Sequence, residues 1–175
     1  EKFVTGSRAK GFKDEKKITR IFDLMKQFAR YGFNKSHSAT YAVLAYRTTY
    51  LKARHSQDFM AALLTSERSN QDKVVKYINE CRDMGIAILP PDINSSDVNF
   101  TPSPQGIRFG LAAIKNVGET AITSIVANKP FKSLFDFCER VDLRTVNKRV
   151  VESLIKAGAF DSVDPDRALL YANVD

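Results

Sequence analysis

The stretch that decides the fold is Phe109-Gly110-Leu111-Ala112-Ala113-Ile114-Lys115-Asn116-Val117-Gly118-Glu119-Thr120-Ala121-Ile122. Its pattern predicts two short helices, Leu111–Lys115 and Glu119–Asn128, meeting at the tight hairpin Asn116-Val117-Gly118. Gly118 is free to take positive φ at such a turn. A hairpin of this kind aims its amides and the N-terminus of its second helix at one point, an arrangement that suits a phosphate. Recognition of a nucleic acid through that contact is independent of sequence and sensitive to salt. The same spacing also describes an ordinary αα-hairpin that only holds a helical domain together.

Downstream the pattern stays helical. Ser133-Leu134-Phe135-Asp136 has the form of a capping box and opens a helix to Arg140. Thr145–Ala157 carries Val146, Val150, Val151 and Leu154 on one face and stops at Gly158. Ala157-Gly158-Ala159-Phe160 is a weaker echo of the first hairpin, and Asp164-Pro165 reads as an N-cap with Pro at the first helical position. Upstream, residues 86–110 have a different texture. Ile86–Leu89 is a short apolar run stopped by Pro90-Pro91, and Val98–Thr101 and Ile107–Phe109 are β-like pieces around Thr101-Pro102-Ser103-Pro104. This predicts a linker with a small amount of strand.

Before the linker, helices return. Asp14 is an N-cap candidate for a stripe of Ile18, Ile21, Phe22, Met25, Phe28 and Ala29, with Gly32 as its stop. A second stripe, Tyr41, Leu44, Ala45, Thr48 and Leu51, runs to about Arg54. Ser56 is expected to cap a helix through Phe59, Ala62 and Leu63. Ser69-Asn70-Gln71-Asp72 is expected to open another with Val74, Ile78 and Cys81 on its face, ending at Gly85. The fold class is therefore mostly α.

Composition sets the outer bounds. At 175 residues with 43% apolar and 27% charged, the chain can bury a real core, which excludes low-complexity disorder. No apolar run approaches the ~18 residues of a membrane span. Two cysteines, Cys81 and Cys138, cannot frame a disulfide scaffold, and both fall on or beside apolar stripes, which points to core positions in a reducing compartment. There is no signal-peptide pattern, and the chain opens at Glu1 in mid-pattern, as an excised piece of a longer protein would. Residues 1–55 hold 13 Lys or Arg against 4 Asp or Glu, a net +9, whereas residues 56–175 carry −2. The positive charge is concentrated in the first third, which suits a polyanionic partner or, equally, a solvated basic face.

Catalytic constellations are missing. The sequence has no close Asp/Glu cluster for two Mg²⁺, no Gly-rich phosphate loop and no CxxC pair, and it has only two histidines. One other segment gathers chemistry: Tyr31-Gly32-Phe33-Asn34-Lys35-Ser36-His37-Ser38-Ala39-Thr40-Tyr41. A glycine turn, a lysine, a histidine and short polar donors meet at a helix N-terminus, where exposed amides and the macrodipole favour an anion. Tyr41, one turn in, offers an aromatic face to a base. The bland alternative has Asn34 or Ser36 simply capping the helix, His37 on the surface and Tyr41 in the core.

These residues carry a resemblance. The run 31–38 with Tyr41, Ala42 and Ala45 resembles the replicative C-family DNA polymerases of bacteria. So do Tyr50-Leu51-Lys52-Ala53, Phe59-Met60-Ala61-Ala62-Leu63-Leu64, Leu89-Pro90-Pro91-Asp92-Ile93-Asn94-Ser95-Ser96 and Gly110–Gly118, in order and at familiar spacing. The likeness implies that residues 1–85 are the distal part of the helical fingers, 86–106 a Pro-rich linker with short strands, and 107–175 a tandem helix-hairpin-helix region. It implies nucleotide contacts from Asn34, Lys35, Ser36, His37 and Tyr41, and DNA contacts from Lys115, Asn116, Val117, Gly118 and Thr120. The Mg²⁺ ligands would lie in the palm of the intact enzyme, outside this chain, which would bind no cofactor and be inactive alone. Primer-template DNA, an incoming dNTP, the sliding clamp and other replisome subunits are the implied partners, in the bacterial cytoplasm and away from membrane. The alternatives are a non-catalytic helix-hairpin-helix module and a replisome interaction scaffold. In one respect the chain departs from the motif: Asn116 stands where helix-hairpin-helix turns usually have glycine. Asn tolerates the left-handed region better than other non-glycine residues.

Overall fold

Helix caps divide the chain much as its polar residues suggest. The computed structural model describes residues 1–31 and 35–174, with the side chains of residues 30, 31 and 35 left aside. Two units emerge, residues 1–49 and 50–175.

In the first unit, α1 (Lys2–Ala9) precedes α2 (Glu15–Tyr31), and α3 (Lys35–Arg54) begins. The Asp14 carboxylate accepts from the Lys17 amide at 3.1 Å, the N-cap that the sequence predicts for α2. α1 lies on α2 through Phe3 and Phe22, whose rings stand 5.3 Å apart, and Ile18 is buried. Most of the apolar stripe of α2 is not buried: Ile21, Phe22, Met25 and Phe28 are exposed, as are Tyr41 and Leu44 on α3. The expected stop at Gly32 falls outside the described residues.

The second unit contains α4 (Ser56–Ser66), α5 (Gln71–Asp83), strands β1 (Ile88–Leu89), β2 (Thr101–Ser103) and β3 (Gly106–Arg108), a 3₁₀ turn at Leu111–Ala113, and α6 (Glu119–Ala127), α7 (Leu134–Arg140), α8 (Lys148–Ala157) and α9 (Arg167–Ala172). The strands form a small sheet in the order β1-β3-β2. β2 and β3 form an antiparallel hairpin, while β1 pairs parallel to β3 with Ile88 opposite Ile107. Pro102 is tolerated because β2 is an edge strand, where the missing N–H costs no ladder bond. Gly106 sits at φ 141° with the Ala87 carbonyl where a Cβ would stand, so only glycine fits there.

Two apolar cores organise this unit. One gathers Met60, Leu64, Val74, Cys81, Phe100 and Ile107 from α4, α5 and the sheet. The other is built around Phe131, Phe137 and Phe160, stacked edge to face at 4.9 and 5.1 Å, with Ile122, Ile125, Leu154 and Ile155. Phe109 packs against both, and its ring meets Phe100 at 4.7 Å. Residues 86–110 therefore supply core side chains, and α4 and α5 pack with them inside the unit of residues 50–175. Gln57 reinforces the join by donating its amide to the carbonyls of Ser103 and Gly106.

Several helix starts are shifted from the sequence expectation. His55, not Ser56, precedes α4, and Asn70, not Ser69, caps α5 by accepting from the Lys73 amide. α8 begins at Lys148 rather than Thr145, because Thr145 turns back on the Asp142 carbonyl through both its amide and its hydroxyl, and Asn147 then caps. Asp164 spends its carboxylate on the Asp166 amide, so Asp166 caps α9 in its place. Ser133 caps α7 as expected, although Asp136 reaches back to the Lys132 amide. Among the described residues no helix is long and apolar enough to cross a membrane.

Candidate nucleic-acid interface

The hairpin at 114–118 is held from below and open above. Ile114 and Val117 are buried in the larger core and anchor the turn, with the Val117 amide donating to the Ile114 carbonyl at 3.2 Å. Lys115, Asn116, Gly118 and Thr120 are exposed. The first arm is a single 3₁₀ turn, Leu111–Ala113, shorter than the expected helix to Lys115. The left-handed residue is Asn116, at φ 68°, and not Gly118, which is extended at φ −82°. Glycine at 118 is thus not required by its backbone angle. A Cβ there would meet nothing within 4 Å, so what glycine provides is an unobstructed approach and no side chain of its own.

That second property matters. Gly118 is the N-cap of α6 and makes no side-chain cap bond, whereas Asn70, Ser133, Asn147 and Asp166 each accept an amide at the start of their helices. The leading amides of α6 have no partner within their own helix. Lys115, exposed in the turn just before them, adds a positive charge, and amides and charge together attract an anion. Glu119, in the first turn, works against it. Arg68 answers that charge, donating to the Glu119 carboxylate at 2.7 Å and to the Asn99 side-chain oxygen at 2.9 Å.

The second turn, at Gly158, is built differently. Gly158 takes the left-handed conformation, φ 81°, and closes α8. The Arg167 guanidinium lies over it and grips the Asp161 carboxylate through two nitrogens, with Nε to Oδ1 at 2.8 Å. Arg167 holds the Asp161 carboxyl below the usual carboxylate range by those hydrogen bonds, with its charge adding to the effect. Lys156 is also engaged, its ammonium 4.5 Å over the Tyr171 ring. This turn is covered, and the first is not.

In the N-terminal unit, Asn34 and the Lys35 side chain lie outside the described residues. α3 starts at Lys35 with no acidic residue in its first turn. The Ser36 carbonyl accepts from the Thr40 hydroxyl at 2.9 Å. His37 and Tyr41, one helical turn apart, bring their rings to 4.3 Å on one face, and Tyr41 is 60% exposed, so it is not a core residue. Cys81 is fully buried, and burial pushes its thiol up to about 11, while Cys138 is half-buried against the larger core; both match the expected core role. The described residues gather no cluster of three or more His, Cys, Asp or Glu able to hold a metal ion.

Sequence reasoning missed Arg68 and Ser153. Arg68 reaches Glu119 across 51 residues, and Ser153 meets Asn116 across 37, separations at which no local pattern signals a contact.

Residues 85–170 match the family model described as a helix-hairpin-helix motif. The matched span covers both turns, so the class is a helix-hairpin-helix unit built around one open and one covered turn. Over its whole length the chain is 48% identical to the DNA polymerase III subunit alpha of Neisseria meningitidis serogroup B, covering 16% of that relative, and 48% identical to that of Thermus aquaticus, covering 14%. It is 49% identical over 99% of its length to the corresponding subunit of Vibrio cholerae, covering 15%. The chain belongs to the DNA polymerase III alpha-subunit family, and it spans about a sixth of the length of these curated relatives.

Proposed function

We propose that this chain serves template-directed addition of dNTPs to a primer 3′ end, as part of a bacterial replicative polymerase acting in the cytoplasm. Its open hairpin would bind the DNA backbone without regard to sequence, and the start of α3 would meet the incoming nucleotide. The observation that carries the first role is the uncapped N-terminus of α6 beside exposed Lys115. Phosphate oxygens accept from such amides, and Lys115 adds a point charge. Val117 fixes the height of the turn from the core, while Thr120 carries a hydroxyl in the first turn of α6.

In the reaction, the primer 3′-hydroxyl attacks the α-phosphate and expels pyrophosphate. Two Mg²⁺ ions, on carboxylates of the intact subunit outside this chain, would supply activation of that hydroxyl and stabilisation of the leaving oxygen. This chain's residues would bind and orient. Asn34, Lys35, Ser36 and His37 would hold the triphosphate and neutralise the leaving group, and Tyr41 would lie against the nascent base pair. The exposed Tyr41 ring, in tilted contact with His37 on one face of α3, supports that reading. Binding to the sliding clamp and other replisome subunits would belong to the intact protein.

Titration of the chain with a labelled primer-template duplex at 50 and 150 mM salt, values typical of such assays, tests the DNA role. Affinity falls with salt, and Lys115→Ala lowers the slope of log K against log salt by about 1. A Lys115→Ala variant that binds with unchanged affinity and slope removes the hairpin from the interface. For the nucleotide role, His37→Ala in the intact subunit raises the KM for dNTP or lowers kcat; unchanged values of both refute it.

A scaffold role has one observation in its favour. Leu134, Phe135, Cys138, Leu143, Val151 and Leu169 line an apolar groove in which Phe135 is 72% exposed. Capture of a replisome protein with no affinity for DNA would point to that role instead.

A further inference from the structure

The open hairpin depends on a left-handed turn at a residue that is not glycine. Asn116 stands at φ 68°, a region that side chains other than Asn and Asp rarely occupy. Its side-chain amide donates to the Ser153 hydroxyl at 3.2 Å, and that hydroxyl donates in turn to the Arg149 carbonyl at 2.8 Å within α8. The chain of hydrogen bonds has one direction. Because the Ser153 proton is committed to the helix carbonyl, its oxygen lone pair faces Asn116. Serine in mid-helix commonly bonds back to the preceding turn, so this orientation comes at little conformational expense. Lys115, Asn116, Ser153 and Lys156 line the same shallow depression, so the tether lies within the proposed contact surface.

We propose that Ser153 is a positioning residue for the DNA contact. It holds Asn116 in the left-handed conformation and thereby fixes where Lys115 and the α6 amides point. The inference rests on the reading of the 114–118 hairpin as a phosphate contact. Glycine at this position would need no tether, since it adopts the left-handed region without penalty. Asn116 and Ser153 therefore act as a unit that replaces a glycine. The α8 side chain is the part of the unit that a local reading of the hairpin cannot see.

The test is a mutant cycle on the whole 175-residue chain, read by titration with a fluorescein-labelled DNA duplex. Ser153→Ala weakens binding about threefold, the size of one net hydrogen bond. It leaves the salt slope as in the wild type, because no phosphate contact is removed. Ser153→Thr keeps the hydroxyl and restores affinity. In an Asn116→Gly background, Ser153→Ala has no further effect on binding. A merely structural role for Ser153 predicts equal losses in both backgrounds, tracking a fall in thermal midpoint, and that result overturns the proposal. So does unchanged affinity of Ser153→Ala in the wild-type background. Lys115→Ala keeps the two levels apart. If Lys115→Ala weakens binding and Ser153→Ala does not, the tether fails and the phosphate reading stands. If neither weakens binding, the phosphate reading itself fails.

Discussion

The two units of this chain use the same kind of helix in opposite ways. In residues 50–175, Phe131, Phe137, Phe160, Met60 and Leu64 are buried almost completely, and α5, α7 and α8 are capped by the side chains of Asn70, Ser133 and Asn147. In residues 1–49, Ile18 is the buried apolar side chain among the described residues, while Phe12, Leu24, Met25, Phe28 and Tyr46 are each more than half exposed. A periodic apolar stripe announces a face that seeks cover; it does not say where the cover comes from. The second unit finds its cover within the chain. The first presents an apolar, strongly basic surface of the sort that marks an interaction site.

The largest effect that can break this comparison is a core truncation. Phe137→Ala, at the centre of the edge-to-face stack, is expected to cost about 3–5 kcal/mol. Phe28→Ala, at a side chain 62% exposed, is expected to change stability by less than about 0.5 kcal/mol. Urea unfolding followed by circular dichroism measures both, and equal costs would erase the distinction between the units.

A second effect follows from charge. Burial works against ionisation of Asp92, but hydrogen bonds from Ser162, Ser95 and Asn94 outweigh it and hold the carboxyl below its ordinary 3.8. Hydrogen bonds from Arg167 do the same for Asp161. Both carboxylates bind protons more readily in the unfolded chain, so their contribution is complete above the ordinary carboxylate range and is lost as pH falls through their lowered folded values. Urea midpoints of the chain should therefore hold steady between pH 7 and 5 and drop below pH ~4. Asp161→Asn should flatten that drop. A midpoint that rises on acidification would contradict the assignment.

A smaller effect separates the caps. Asn147→Ala removes the side chain that accepts from the Val150 amide at 3.2 Å and should cost about 1 kcal/mol by the same urea measurement. A variant as stable as the wild type would show that the α8 cap does not hold.

The sequence made the local devices legible and left the long-range ones hidden. Asp14, Ser133 and the Gly158 stop were readable because each acts within a turn of its own helix. The hairpin at 114–118 was readable too, and Asn116 takes the left-handed conformation that asparagine tolerates, while the positive φ open to Gly118 is not used. Glycine permits positive φ but does not demand it, and here the extended Gly118 leads straight into α6 while Asn116 makes the bend. The parallel pairing of β1 with β3 escaped because strands of two and three residues, paired nineteen positions apart, leave no periodicity to detect. The start of α8 escaped for a different reason, since Thr145 is an adequate cap in isolation and lost to Asn147 only because the Asp142 carbonyl claimed it first. Of the candidate nucleotide site, the exposed pairing of His37 with Tyr41 follows from their spacing of four. Of the candidate DNA site, Arg68 and Ser153 required the fold.

Whether the leading amides of α6 are left uncapped for phosphate is decided by Gly118→Ser. A serine hydroxyl at the N-cap can accept from those amides, and the space beside Gly118 is empty, so the variant should be more stable by a few tenths of a kcal/mol. The same variant should bind duplex DNA several-fold more weakly, because cap and phosphate compete for the same donors. Stability raised with DNA affinity unchanged would contradict it.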